Sequence, residues 1–118
     1  MTNTDIYTVY ESLVKLSQNK ELKMPAKVGY VILKNRNLLE PYYKALIESR
    51  YSIIEKYAEK NEDDSLEVPS DKIEDANKEL VELLALEEEI NLSKINVNTL
   101  PDGIDLEILD NLMPILED

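Results

Sequence analysis

The sequence predicts a mainly α protein, a small helical bundle built on one long, kinked helix, with a minor β ribbon near residues 65–68 and 89–97. Three observations predict it. Apolar residues recur at helical spacing through most of the 118 residues, Gly is confined to Gly29 and Gly103, and strand-like alternation is limited to two short stretches. Hydrophobic residues make up 43% of the chain and charged residues 32%, enough apolar material for one core despite a net charge of −12. With no Phe and no Trp, that core must be aliphatic, and seven Tyr supply all the aromatic character. A single domain over residues 1–118 is expected.

Thr4-Asp5 reads as a helix start, followed on one face by Ile6, Val9, Leu13 and Leu16. Thr8 and Glu11 have capping-box spacing, an alternative start one turn later. Pro25 suits the first position of the next helix, where its missing N–H is no loss. From Ala26 to about Lys60 the pattern stays helical. Val28, Ile32, Leu39, Tyr42, Leu46 and Ile53 step round one face, with Asn35 and Ser49 filling two places in the same near-heptad series. Pro41 removes a hydrogen bond to the carbonyl of Asn37 and clashes with it. Two segments, roughly 26–39 and 41–60, or one helix continuous through a bend, are therefore expected.

Residues 61–65 form a polar connection, and Leu66 and Val68 alternate with Glu67 before Pro69. Ser70 reads as the cap of a third helix whose buried stripe is Ile73, Ala76, Leu80, Leu83 and Leu84. Glu87-Glu88-Glu89 is unfavourable at that helix's negative end, so either the helix stops near Leu86 or these acids meet cations. Ile90, Leu92, Ile95 and Val97 then alternate, with a phase slip at Ser93-Lys94 that signals a bulge or tight turn. Pro101-Asp102-Gly103 is a turn. Asp105 caps a last short helix with Leu106, Leu109 and Leu112 inward, interrupted by Pro114.

The missing residue types close most catalytic routes. No Cys means no thiolate chemistry, and no His means no imidazole base, ligand or triad. Two glycines cannot build a phosphate loop. Neither Glu62-Asp63-Asp64 nor the acids from Asp102 to Glu107 follow the ligand pattern of a calcium loop. No enzyme activity, catalytic residue, metal site or cofactor is expected. No apolar run reaches the ~20 residues of a membrane span, and Met1 to Asp5 lack the features of a signal peptide. The protein is expected to be soluble and intracellular.

Charge is unevenly spread. Residues 1–60 hold 10 Lys and Arg against 7 acids, whereas residues 61–118 hold 3 against 18. Acidic runs most often serve solubility, but an acidic half also suits a basic protein partner. Glu62, Asp63 and Asp64, with Glu87, Glu88 and Glu89, are the candidate partner-binding residues. Direct nucleic-acid binding is not expected, because Lys15, Lys20, Lys23, Lys27, Lys34 and Arg36 make a weak basic footprint. A strand without a partner in its own chain is a template for pairing. Residues 89–97 are thus expected to pair with 65–68 or across an interface, with Leu92, Ile95, Val97, Ile47 and Ile54 as candidate oligomer contacts.

The run Lys-Met-Pro-Ala-Lys-Val-Gly-Tyr (Lys23 to Tyr30) leads into a Tyr-rich helix ending Ile-Glu-Lys-Tyr (Ile54 to Tyr57). Asn-Lys-Glu-Leu-Val-Glu-Leu-Leu (Asn77 to Leu84), Glu-Glu-Ile-Asn-Leu (Glu88 to Leu92) and a leucine-rich end around Leu109 to Leu116 follow. This order resembles a family of small acidic helical proteins encoded by bacteriophages and prophages, to which no function is assigned. The resemblance implies an accessory protein that binds and modulates a host protein in the host cytoplasm. The alternative it implies is a structural or assembly component of the virion.

The off-face residues Val31, Leu38, Ile47 and Ile54 give the long helix more apolar surface than a short bundle covers. The expected outcome is a homo-oligomer, most simply a two-fold dimer. Sedimentation equilibrium at micromolar concentration checks this, and a lone 13.6 kDa species would count against it.

Overall fold

A computed structural model describes residues 1–118 as a mainly α protein measuring 51 × 31 × 23 Å. Its spine is α2 (Ala26–Tyr57). At 32 residues and ~1.5 Å per residue this helix is about 48 Å long, so it runs the length of the molecule. It is continuous through Pro41. Both Pro41 and Asn37 lie on the solvent face, so the carbonyl that the proline leaves unpaired meets water. The helix ends at Tyr57 rather than near Lys60, because Glu59–Lys60 is used as a strand.

Helix α1 (Asn3–Gln18) packs antiparallel on the first half of α2, with Tyr43 beside its start and Arg36 donating to the Ser17 hydroxyl (3.0 Å) near its end. It begins two residues earlier than Thr4-Asp5 suggests, because the Thr2 hydroxyl accepts from the Asp5 N–H (3.1 Å). Thr8 is not a cap. Its hydroxyl donates back to the carbonyl of Asp5. Ile6, Val9, Leu13 and Leu16 are buried as the spacing predicts, against Val28, Ile32 and Leu39. The inward tyrosine is Tyr43, whereas Tyr42 stays exposed.

The second half of α2 continues past α1 and is met by a different layer. Strands β1 (Glu59–Lys60) and β2 (Leu66–Glu67) form an antiparallel hairpin, and α3 (Ile73–Ala85) then runs back along α2. Asp64, at φ 66, turns the hairpin in the left-handed region that Asp tolerates better than most residues. Ser70 is not the cap of α3. Residues 69–72 form a turn closed by the Lys72 N–H on the Pro69 carbonyl, and Lys72 occupies the capping position. Within the predicted stripe Ala76 is buried, Leu80, Leu83 and Leu84 are half-buried and Ile73 is exposed.

Helix α3 stops at Ala85, which keeps the three glutamates outside it. Its last carbonyls are capped from α1: the Asn3 side-chain amide donates to Leu83 O (2.8 Å) and the Thr4 hydroxyl to Leu84 O (3.2 Å). The Asn3 N–H donates to Leu86 O, and Met1 and Glu88 exchange two main-chain hydrogen bonds.

From Ile90 the chain returns along the first half of α2. The stretch 89–94 is extended but unpaired, and β3 (Ile95–Asn96) pairs in parallel with β4 (Leu116–Glu117), not with residues 65–68. The ribbon expectation thus holds for place and fails for partner. Asn35 explains why. Its side-chain amide donates to the Ser93 carbonyl (2.9 Å) and its carbonyl oxygen accepts from the Ser93 N–H (2.9 Å), supplying what a neighbouring strand would supply. Between β3 and β4 the chain turns at Gly103, where φ is +92 and a side chain would be strained. It then forms α4 (Leu106–Asn111), whose inward residues are Ile108, Leu112 and, beyond the helix, Ile115, while Leu106 points outward at 83% exposure.

Asn35 is wholly buried, and replacing it removes the side-chain partners of the part-buried Ser93 N–H and carbonyl. Asn35→Leu should lower stability by about 2–5 kcal/mol, since it orphans one backbone donor and one acceptor. Urea denaturation measures this, and a loss below about 1 kcal/mol would show that the amide is dispensable.

Candidate functional site

Two features outside the core have the character of sites. One is an acidic arm, and the other is an apolar cleft at its root.

The arm consists of the hairpin, α3 and the linker to Ile90. Residues 59–89 carry thirteen acids against Lys60, Lys72 and Lys78, a net of −10. Its ion pairs are Lys56 with Glu79 (3.0 Å), Lys60 with Asp64 (3.8 Å) and Lys72 with Glu59 (3.4 Å). All three are exposed, where such pairs contribute at most about 1 kcal/mol. Ten of the thirteen acids have no ion pair. Glu62, Asp63 and Asp64 form the hairpin tip. Asp63 accepts from both the N–H and the hydroxyl of Ser65, and the hydroxyl first, then the N–H, holds its carboxyl below the usual range. Glu87, Glu88 and Glu89 lie at the other end of α3, exposed beside Met1. The 13 residues of α3, a helix about 20 Å long, lie between the two clusters in the chain. Glu74, Asp75 and Glu82 are exposed between them. The structure therefore joins the two predicted clusters through α3 rather than bringing them into one pocket. No three acids gather into a metal-binding group.

The other predicted contacts separate. Ile95 is 3% exposed inside the core, and Leu92 packs against that core, so neither is free to meet another chain. Their alternation encodes intramolecular burial. Val97 stays partly exposed in a groove with Leu100, Leu109 and Met113. Ile54 is half-buried, and Ile47 lines the cleft.

That cleft opens where the start of α1, the middle of α2 and the end of α3 meet. Its volume is 360 Å³. Leu46, Ile47, Leu80, Leu83 and Leu84 form the walls, Thr4 and Tyr7 close the α1 side, and Arg50 is its one charged group. Sequence reading misses it, because three helices far apart in the chain contribute to it and Arg50 stands alone in the pattern.

Beside Tyr7 lies an aromatic cluster. The Tyr43 ring packs at 5.7 Å from Tyr7 and 4.3 Å from Tyr10, and its hydroxyl donates to Glu11 Oε1 (2.9 Å). Burial first, then the hydrogen bond and charge of Glu11, push the Tyr43 phenol up to about 12. A phenol this weakly acidic is a donor at neutral pH and neither a base nor a nucleophile, so the cluster serves to clamp α1 onto α2.

In an absorbance titration the Tyr43 phenolate should form near pH 12, and Glu11→Gln should move it towards 10 without reaching it, because burial remains. The folded chain holds this proton more tightly than the unfolded one. Its contribution to stability is therefore complete below about pH 10 and is lost as the pH rises to about 12. An unchanged titration in the variant would sink the assignment to Glu11.

Comparison with known proteins finds no matching family model, no similar curated protein and no similar solved structure.

Proposed function

We propose that the protein is a non-enzymatic, phage-type accessory protein of the host cytoplasm. It binds and modulates a host protein by presenting the acidic arm to a basic surface. The observation that carries this reading is the arm's ten carboxylates without ion pairs. Crowding them along one short helix and its flanks costs self-repulsion, which a cationic partner relieves. No helix is long and apolar enough to cross a membrane, in keeping with a partner in solution. The exposed Tyr30, Leu33 and Leu38 on the outer side of α2 support self-association of the same protein, while leaving the arm free.

A charge-driven complex forms fast and is sensitive to salt. The test is to capture the partner from host lysate, purify it and measure its affinity for the intact protein and for a variant with residues 62–64 and 87–89 converted to Gln or Asn. The expected result is at least a tenfold loss in the variant, together with a shallower dependence on salt. Equal affinity of the two proteins, or an affinity independent of salt, would refute the reading.

A further inference from the structure

We infer that the cleft between α1, α2 and α3 is a binding site for an aliphatic monocarboxylate, a medium-chain fatty acid, with Arg50 holding the carboxylate. Three observations lead there, none of which depends on the acidic arm's role.

The first is that Arg50 is the one charged residue lining the cleft. It is exposed at the cleft and belongs to none of the chain's four ion pairs, in a protein with 25 acids. Its neighbours in the cleft include no acid. A guanidinium offers a planar fork that fits a carboxylate with two parallel hydrogen bonds.

The second is the walls. Apart from Arg50, the polar groups are Thr4 and Tyr7, and the Thr4 hydroxyl already donates to Leu84 O. A peptide lying here would leave its amide groups without partners, at a cost an aliphatic chain does not incur. A cationic ligand would find no carboxylate among the lining residues, and a sugar-like one only the hydroxyls of Thr4 and Tyr7 beside Arg50.

The third is size. A volume of 360 Å³ is at the small end of ligand pockets and holds about a dozen groups of roughly 30 Å³ each. Decanoate has that many heavy atoms. The overall charge of −12 opposes an anion, but at physiological ionic strength charges more than about 8 Å away are largely screened. Among the residues lining the cleft itself, the one charge is the positive charge of Arg50.

Titration of the full-length protein with decanoate, at 150 mM salt and below micelle formation, tests the site by amide chemical shifts and calorimetry. Saturable binding is expected, with shifts concentrated at residues 46–50 and 80–84. Arg50→Gln, at an exposed position that the fold tolerates, should weaken decanoate about tenfold and leave decanol unchanged. Absence of saturation, shifts centred on the groove near Val97, or equal decanoate affinity in Arg50→Gln would overturn the proposal. A C-terminal tetraleucine peptide binding more tightly than decanoate would overturn it in favour of a peptide.

Discussion

A side-chain amide buried inside an aliphatic core has to satisfy both of its halves, and Asn35 does so against the two main-chain groups of Ser93. That exchange pins the returning chain to the first half of the spine. Once Ser93 is fixed, Ile90 and Leu92 on one side and Ile95 on the other fall on the core, and β3 is set beside β4. The last 30 residues contain a six-residue α-helix, two three-residue 3₁₀ helices and two-residue strands. Elements this short do not persist alone. They rely on packing against α1 and α2, and that packing relies on the register Asn35 imposes. An apolar residue at 35 would continue the helical stripe yet orphan a buried donor and acceptor, so the polar residue is the consistent choice.

The two halves of α2 are held very differently. The first half is enclosed by α1 and the C-terminal segment, and the main buried cluster lies there. Around the second half Leu46 and Ala76 are the buried side chains, and α3 contributes no residue to the main cluster. What attaches α3 is the half-buried leucine row and the capping of its C-terminal carbonyls by Asn3 and Thr4. Local opening free energy follows buried apolar contact, so the arm is the less protected part of the fold. The cleft sits at the boundary, where the enclosed half gives way to the thinly covered half.

Much of this could be read from residue spacing, and the failures have physical causes. The faces of α1 and of the first turns of α2 follow 3.6-residue spacing, and they are buried as that spacing predicts. The near-heptad series 28, 35, 42, 49 goes wrong further along because a straight helix drifts ~20° per heptad from a seven-residue repeat. Two and three steps on, Tyr42 and Ser49 have left the buried face, while Tyr43 and Leu46 occupy it. Alternation at Ile90 to Val97 signals a strand that the structure forms only at Ile95–Asn96, with Val97 opening a 3₁₀ turn instead. Its partner, however, is a side-chain amide on α2 and a two-residue strand twenty residues away, and neither leaves a mark in local sequence. The acidic clusters were legible as residues. Their linkage through α3 and the cleft with Arg50 depend on how three helices cross, and composition is silent on that.

Arg50 and the arm pose one electrostatic question from opposite sides. In a chain with 25 acids, four of the 13 cations find a counter-charge in an ion pair, each exposed pair gaining a few tenths of a kcal/mol. Lys56, six residues further along the same helix, does so with Glu79. Arg50, like eight other cations, does not, and the part of α3 that shares its cleft is the row Leu80, Leu83 and Leu84. The leucines that hold α3 against α2 therefore also line the cleft that Arg50 shares, which has no carboxylate among its lining residues. Outside that cleft the same helix presents Glu74, Asp75 and Glu82 to solvent. One amphipathic helix thus separates two electrostatic environments, a negative outer surface and a small positive apolar recess, and its burial pattern is what keeps them apart.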